Sequence, residues 1–269
     1  MTLSFLAAQI RQKQSLLCVG LDADPTRLPA GVASVLAFNQ AIIEATLPYA
    51  IAYKINTAFY EAHGAEGWRL LEQTRDLLPA DVMVIMDAKR GDIGNTASQY
   101  AQAFFGHLRA DALTVSPYMG LDTLEPYLAY PNALLFVLAA TSNLGAAHFE
   151  HQLLANGRRL FEDVVHQCEA SAGKSRYHYV AGATRPHDLE AIRALAPDAL
   201  LLVPGVGAQG GVLAQVCKAG LNAWGGLLIN ASRSILYASA GQDFASKAAQ
   251  EARHLQAEMS VMLKSKGII

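Results

Sequence analysis

The chain has 269 residues, of which 52% are hydrophobic and 16% are charged, so it can build a large core. Lys and Arg number 21 against 23 Asp and Glu, which gives a formal net charge of -2. This near-neutral balance argues against a nucleic-acid-binding protein and against a polybasic membrane anchor. It remains compatible with a small anionic ligand that is held by a few local donors.

The cysteines and the N-terminal segment indicate a cytoplasmic protein. Cys18, Cys168 and Cys217 form no C-x-x-C pair, and such a sparse, odd set is typical of reduced thiols. Segment 1–15 carries its charges after its apolar residues, which is the reverse of a signal peptide. No run of about 18 apolar residues occurs, so no membrane span is expected. No Cys and His cluster has zinc spacing, so no metal site is expected either.

Short apolar runs alternate with segments of helical periodicity along the chain. The runs are continuous, as in strands of a parallel sheet that is buried on both faces, and they predict eight strands. These strands are 16–21, 50–55, 82–87, 112–115, 133–139, 177–181, 200–203 and 226–229. Helices are predicted over 33–47, 67–78, 95–107, 121–128, 149–170, 187–195, 212–218 and 243–264. This alternation favours one (β/α)8 TIM-barrel domain over residues 1–269, with a doubly wound open sheet as the alternative.

The residues after the first three predicted strands form a group of acids and ammonium groups. A barrel enzyme carries its functional residues at the C-terminal ends of its strands. Side chains alternate across a strand, so we expect Asp87 and Lys89 on one side, joined by Asp22 and Lys54. An ammonium group among carboxylates stays charged and can donate a proton or hold an anion. A structural ion-pair network that closes the barrel is the alternative interpretation.

A glycine-rich stretch, 205–210, follows the seventh predicted strand and matches the pattern G-x-G-x-x-G. A dinucleotide-binding fold needs an acidic residue about 20 positions later, but no Asp or Glu lies between positions 199 and 242. A phosphate site after strands 7 and 8 fits better, because glycines let backbone N–H groups approach an anion. Gln209 adds an amide donor, and Arg233 can bind phosphate through two N–H groups. A tight turn with a surface arginine is the alternative.

Taken together, these motifs resemble those of the orotidine 5'-phosphate decarboxylase family, in its bacterial subgroup with longer chains. The most specific element is the D-x-K-x-x-D signature of Asp87, Lys89 and Asp92, followed by the stretch 204–211. The segments 52–56 and 141–143 agree in order and position, so the resemblance covers nearly the full chain.

The resemblance implies a carboxy-lyase that converts orotidine 5'-monophosphate to UMP and carbon dioxide, the last step of de novo pyrimidine synthesis. The family uses no metal and no organic cofactor. Lys89 would protonate C6 of the pyrimidine, and Asp87 would lie beside the departing carboxylate and hold Lys89. Lys54 and Asp22 would complete the charged network and touch the ribose hydroxyls.

The resemblance also implies a homodimer with shared active sites. Asp92, with Thr96, would reach the ribose of the neighbouring subunit's substrate. The remaining substrate contacts are expected from Ser142, Pro204, Gln209 and Arg233. The serine would meet the amide edge of the pyrimidine, and the glutamine and the arginine would bind the phosphate.

Two other functions are compatible with the same residues. A magnesium-dependent enzyme of the same barrel superfamily processes sugar phosphates with the same D-x-K-x-x-D core, although Ser142 and the chain length favour a nucleotide. A non-catalytic barrel would bind UMP-like ligands without turnover and would have no need for Lys89. Activity that survives a chelator argues against the first alternative, and turnover argues against the second.

Overall fold

The computed structural model describes residues 1–206 and 210–269. Within these residues the strands follow one another around a closed barrel in the order β1 to β8. They are β1 Leu17–Gly20, β2 Ala50–Asn56, β3 Met83–Arg90, β4 Ala112–Val115, β5 Leu134–Ala140, β6 Tyr177–Ala181, β7 Leu201–Pro204 and β8 Leu227–Ala231. The closed barrel confirms the predicted fold class and excludes the open doubly wound sheet.

The strands lie where the apolar runs predict them, because both faces of each strand are covered. Nearly every strand residue is buried, as a parallel sheet requires. β1 pairs with β2 in parallel, with Gly20 opposite Lys54, and β2 pairs with β3, with Asn56 opposite Asp87. β3 continues three residues beyond its predicted end, to Arg90.

The helices cover the connections between the strands. They are α1 Leu3–Lys13, α2 Val35–Thr46, α3 Ala58–Glu61, α4 Gly64–Asp76, α5 Gly94–Ala101, α6 Leu160–Ala170, α7 Pro186–Leu195, α8 Leu213–Gly220, α9 Arg233–Leu236 and α10 Phe244–Ser265. A π-helical turn, Gln102–His107, continues α5. The helices α1, α3 and α9 are not predicted from the sequence. The first of them is capped by Thr2, whose hydroxyl accepts a hydrogen bond from the Phe5 N–H at 3.3 Å.

Two helix predictions are wrong, for local reasons. The predicted helix over 121–128 is two 3-10 segments, Leu121–Thr123 and Glu125–Ala129. Pro126 lacks the N–H that a continuous α-helix would need at that point. The predicted helix over 149–170 begins only at Leu160, because Gly157 adopts a positive φ of 82° and turns the chain back.

The contacts between residues divide the chain into two compact units, and the single domain over 1–269 stays a prediction. The first unit comprises Met1–Ala88 and Asn230–Ile269, and the second comprises Lys89–Ile229. In the first unit Phe38 of α2 stacks on Phe244 of α10, with ring centroids 5.2 Å apart. None of the helices in the described part of the chain is long and apolar enough to cross a bilayer.

His178 on β6 is a buried, uncharged histidine in the second unit. Its Nδ1 accepts a hydrogen bond from the Leu200 N–H at 3.2 Å. Burial, with a smaller contribution from the positive charge of Arg193, lowers the pKa of His178 from 6.5 to about 3. The folded protein therefore keeps this imidazole neutral at pH values at which an unfolded chain protonates it.

We predict that His178 makes the protein less stable in mild acid. Between pH 6.5 and 3 the unfolded state binds a proton that the folded state does not, so the free energy of unfolding falls as the pH falls. At pH 5 the loss from this one group is about 2 kcal/mol. Urea unfolding of the wild type and of His178→Gln at pH 7 and pH 5 measures it, since glutamine keeps an acceptor but does not titrate. An identical pH dependence in the two proteins would contradict the prediction.

Candidate active site

Three charged side chains meet at the C-terminal ends of β1, β2 and β3 within the first unit. The Lys54 Nζ donates a hydrogen bond to Asp87 Oδ2 at 3.0 Å and lies 3.5 Å from Asp22 Oδ1. The Asn56 N–H also donates to Asp22 Oδ1, at 3.2 Å. Parallel pairing places Lys54 opposite Gly20 of β1 and Ile85 of β3, two residues before Asp22 and Asp87, so its long side chain reaches forward to both carboxylates. We refer to Asp22, Lys54 and Asp87 as the charged triad.

The charged triad keeps its lysine protonated. Only 5% of the Lys54 side chain is exposed, and burial alone would lower its pKa. The two carboxylates outweigh burial and raise the pKa of Lys54 above its ordinary value. Because this ammonium group holds its proton so firmly, Lys54 is suited to fixing the carboxylates in place and unsuited to releasing a proton.

Two tyrosines, which sequence reasoning missed, hold the loop that follows β1. The hydroxyl of Tyr60 donates to the carbonyl of Leu21 at 2.9 Å. The hydroxyl of Tyr237 accepts a hydrogen bond from the Asp24 N–H at 2.8 Å. Both contacts join residues far apart in sequence, so no local pattern indicates them. They fix the backbone on either side of Asp22.

Gly20 permits a close approach between the end of β1 and the segment that precedes Arg233. A Cβ atom at Gly20 would lie 2.8 Å from the Cβ of Ser232 and 3.1 Å from Asp22 Oδ2. No other residue fits this space without a shift of the backbone. Arg233 is the first residue of α9 and is exposed.

In the second unit, Lys89 lies at the end of β3 in an unusual backbone conformation. Its φ is 49°, in the left-handed region that residues other than glycine rarely adopt. Its N–H donates to Thr114 Oγ1 at 2.9 Å, and the Ser116 N–H donates to the carbonyl of Arg90 at 2.8 Å. Such backbone outliers concentrate at functional sites, where the surrounding structure stabilises them. The side chain of Lys89 is exposed.

The other predicted residues of the second unit also follow strands. Asp92 precedes α5, where its Oδ1 accepts from the Ile93 N–H at 2.8 Å, and Thr96 lies exposed in the first turn of α5. Ser142 follows β5, and Pro204 ends β7. Gln209, predicted to bind phosphate, lies outside the described residues.

Arg185, which follows β6, contacts His151. His151 Nε2 lies 3.6 Å from Asp188 Oδ2, and Arg159 donates to Asp188 Oδ1 at 2.9 Å. This group ties the segment before α6 to the first turn of α7. In the described ranges 1–206 and 210–269, no group of three or more His, Cys, Asp and Glu side chains is arranged to hold a metal ion.

A closed parallel barrel with charged side chains at its strand ends defines a (β/α)8-barrel enzyme. The model of the orotidine 5'-phosphate decarboxylase / HUMPS family matches residues 15–248. The chain belongs to this family.

Similar proteins from two bacteria match along their full length. Orotidine 5'-phosphate decarboxylase of Flavobacterium johnsoniae is 47% identical, with 99% of this chain and 100% of the relative covered. The protein of the same name from Porphyromonas gingivalis is 48% identical, with both chains covered completely.

Two solved structures share the fold and much of the sequence. Leishmania donovani OMP decarboxylase superimposes with a TM-score of 0.80 at 39% identity, over 96% of this chain and 99% of its own. UMP synthase from the same organism gives a TM-score of 0.83 at 41% identity, over 95% of this chain and 57% of that longer one. The barrel therefore corresponds to a whole enzyme in one case and to part of a longer chain in the other.

Proposed function

We propose that this chain catalyses the decarboxylation of orotidine 5'-monophosphate to UMP and carbon dioxide. The observation that carries the proposal is the full-length identity of 47–48% with bacterial proteins named orotidine 5'-phosphate decarboxylase. The D-x-K-x-x-D signature, which begins at Asp87, lies at the end of β3, where a barrel enzyme carries its chemistry.

Lys89 is the proton donor of the proposed mechanism. The bond between C6 and the carboxylate breaks, its electron pair stays on C6, and the Lys89 ammonium transfers its proton to that carbon. The negative charge at C6 develops only as carbon dioxide leaves, so a fixed ammonium group stabilises the transition state more than the ground state. Lys54 cannot replace Lys89 as the donor, because its two carboxylate partners raise its pKa.

The charged triad sets the electrostatics of the departing group. Asp87 accepts a hydrogen bond from Lys54 and is held rigidly beside the point where we place the substrate carboxylate. The negative charge of Asp87 next to the substrate carboxylate repels it and disfavours the anionic ground state. Carbon dioxide is neutral, so this repulsion falls as the reaction proceeds.

A magnesium-dependent enzyme acting on a sugar phosphate is the second candidate. The matching family model includes HUMPS proteins as well as the decarboxylases, so the family alone does not separate the two. The full-length relatives named orotidine 5'-phosphate decarboxylase favour the nucleotide substrate.

The decisive experiment follows the absorbance of orotidine 5'-monophosphate with purified protein in the presence of EDTA. We expect full turnover, because the proposed mechanism uses no metal. A folded protein that shows no turnover would contradict the proposal. Turnover that depends on added magnesium would favour the second candidate.

Arg233 is proposed to bind the phosphate at the start of α9. We predict that Arg233→Ala weakens the binding of UMP by about tenfold or more, because a charge-assisted pair of hydrogen bonds is lost. Binding of uridine should not change, since the nucleoside has no phosphate. The matched control is Arg253→Ala, which removes an exposed arginine from α10. Equal weakening for UMP and uridine would place Arg233 away from the phosphate.

We further propose a homodimer in which each active site includes Asp92 and Thr96 of the other subunit. Asp92 lies beyond the strand that carries Lys89. The neighbouring Ile93 is 60% exposed in the single chain, which is expected of an apolar residue that a second subunit covers in a dimer. A twofold interface is self-complementary, so both sites gain the same groups.

Subunit exchange between Asp92→Ala and Lys89→Ala tests the shared site. In a heterodimer one site lacks both groups and the other has both intact. Random pairing makes half of the dimers heterodimers, so we predict that about a quarter of all sites recover activity. Absence of recovery despite demonstrated exchange would show that Asp92 serves its own chain.

A cytoplasmic location is part of the proposal. Cys18, Cys168 and Cys217 are free and buried, and burial raises the pKa of each thiol to about 12. Unpaired cysteines of this kind are typical of proteins in a reducing compartment.

A further inference from the structure

The turn that carries Ser142 is held by a carboxylate to which neither the sequence motifs nor the proposed mechanism gives a role. Glu150 Oε2 accepts a hydrogen bond from the Thr141 N–H at 2.7 Å. Glu150 Oε1 lies 2.8 Å from Thr141 Oγ1, which is also 2.6 Å from Asn143 Oδ1. Both oxygens of one carboxylate therefore bind the residue that immediately precedes Ser142.

Glu150 is itself anchored to the rest of the second unit. Its carbonyl accepts a hydrogen bond from the N–H of Phe161, at 3.0 Å. Phe161 lies in the first turn of α6 and is only 1% exposed. The carboxylate therefore extends from a backbone position that a buried helix end holds in place.

On its other side, the turn packs closely against Gly182, which follows β6. Its N–H donates to the carbonyl of Ala140 at 2.7 Å. A Cβ atom at Gly182 would lie 2.9 Å from both the Cβ and the backbone nitrogen of Ser142. Ser142 is thus packed against a glycine on one side and tied through Thr141 to Glu150.

We infer that Glu150 is a positioning residue that holds Ser142 in the conformation required to meet the pyrimidine. This inference rests on the proposed function, in which Ser142 binds the amide edge of the base. Without Glu150, the Thr141 N–H loses its acceptor, and the turn gains alternative conformations. Part of the binding free energy of the base is then used to order the turn, so the affinity falls. The ribose and phosphate contacts come from other residues and do not depend on this turn.

The test compares two ligands, UMP and ribose 5-phosphate, by calorimetry. Glu150→Ala should weaken UMP binding by about tenfold, the usual effect of losing one well-placed hydrogen bond, and leave ribose 5-phosphate binding unchanged. Glu150→Gln should restore UMP binding. Its amide oxygen accepts from the Thr141 N–H, and its Nε2 donates to Thr141 Oγ1, which then donates to Asn143.

The matched control is Asp163→Ala, which releases a different part of the same segment. Asp163 Oδ1 accepts from Asn156 Nδ2 at 2.8 Å and lies 3.4 Å from Arg158 Nη1. This variant should bind both ligands as the wild type does.

Three results would overturn the inference: equal weakening of both ligands by Glu150→Ala, no weakening of either, or failure of Glu150→Gln to restore UMP binding. Because the experiment measures binding, a failure of the Glu150 inference can be told apart from a failure of the proposed function. A wild-type protein that does not bind UMP would contradict the function itself.

Discussion

Replacement of Lys89 with alanine is expected to lower kcat by about four orders of magnitude, the product of a lost proton donor and a lost electrostatic contact. UMP should still bind nearly as well, because the carbanion that the ammonium group stabilises is absent from the product. The fold should persist, since the Lys89 side chain is exposed and its backbone contact to Thr114 does not involve the side chain. Single-turnover kinetics and UMP titration measure the two effects separately.

Lys174→Ala is the matched control for this experiment, because it removes an exposed lysine of the same unit that lies outside the proposed site. It should leave kcat and UMP binding as they are. A near-normal kcat for Lys89→Ala would remove Lys89 from the chemistry. Loss of UMP binding together with kcat would instead show that Lys89 holds the ligand in its ground state.

Replacement of Lys54 with methionine is expected to destabilise the protein by about 3 kcal/mol at pH 7, because it leaves two partly buried carboxylates without their shared cation. The side chains of Asp22 and Asp87 are only 14% and 11% exposed, so water does little to replace the contact that Lys54 makes to each carboxylate. Activity should fall as well, since Asp87 loses the group that orients it. Urea unfolding of the variant and the wild type provides the measurement.

The pH dependence of this loss identifies its cause. In Lys54→Met the two carboxylates lack their shared cation, and protonation in acid removes their negative charges. The stability difference from the wild type should therefore shrink as the pH falls towards about 4. Lys247→Met on the surface of α10 should change stability by less than about 0.5 kcal/mol. A stability loss that stays constant with pH would point to lost packing instead of unpaired charge.

The two lysines have different expected roles because their surroundings differ. Lys54 is buried between two carboxylates, so its removal should be detected mainly as a stability loss. Lys89 is exposed at a strand end in a left-handed conformation, so its removal should be detected mainly in kcat. The charge pattern of the sequence places both lysines in one group, and only the family resemblance assigned them different roles.

The local pattern of the chain was sufficient to predict the strands and the order of the barrel. A strand buried on both faces must be apolar throughout, and this requirement leaves a continuous run in the sequence. The D-x-K-x-x-D signature could be recognised for a similar reason, since its residues lie within six positions of one another.

Tertiary structure alone decided the features that join distant residues. Glu150 lies in a stretch predicted to be helical, yet its carboxylate binds Thr141 and the helix starts ten residues later. Tyr60 and Tyr237 reach back to the loop after β1 across 39 and 213 positions. A hydrogen bond between such residues imposes no spacing or periodicity on the chain, so only the folded structure identifies which side chains position the site.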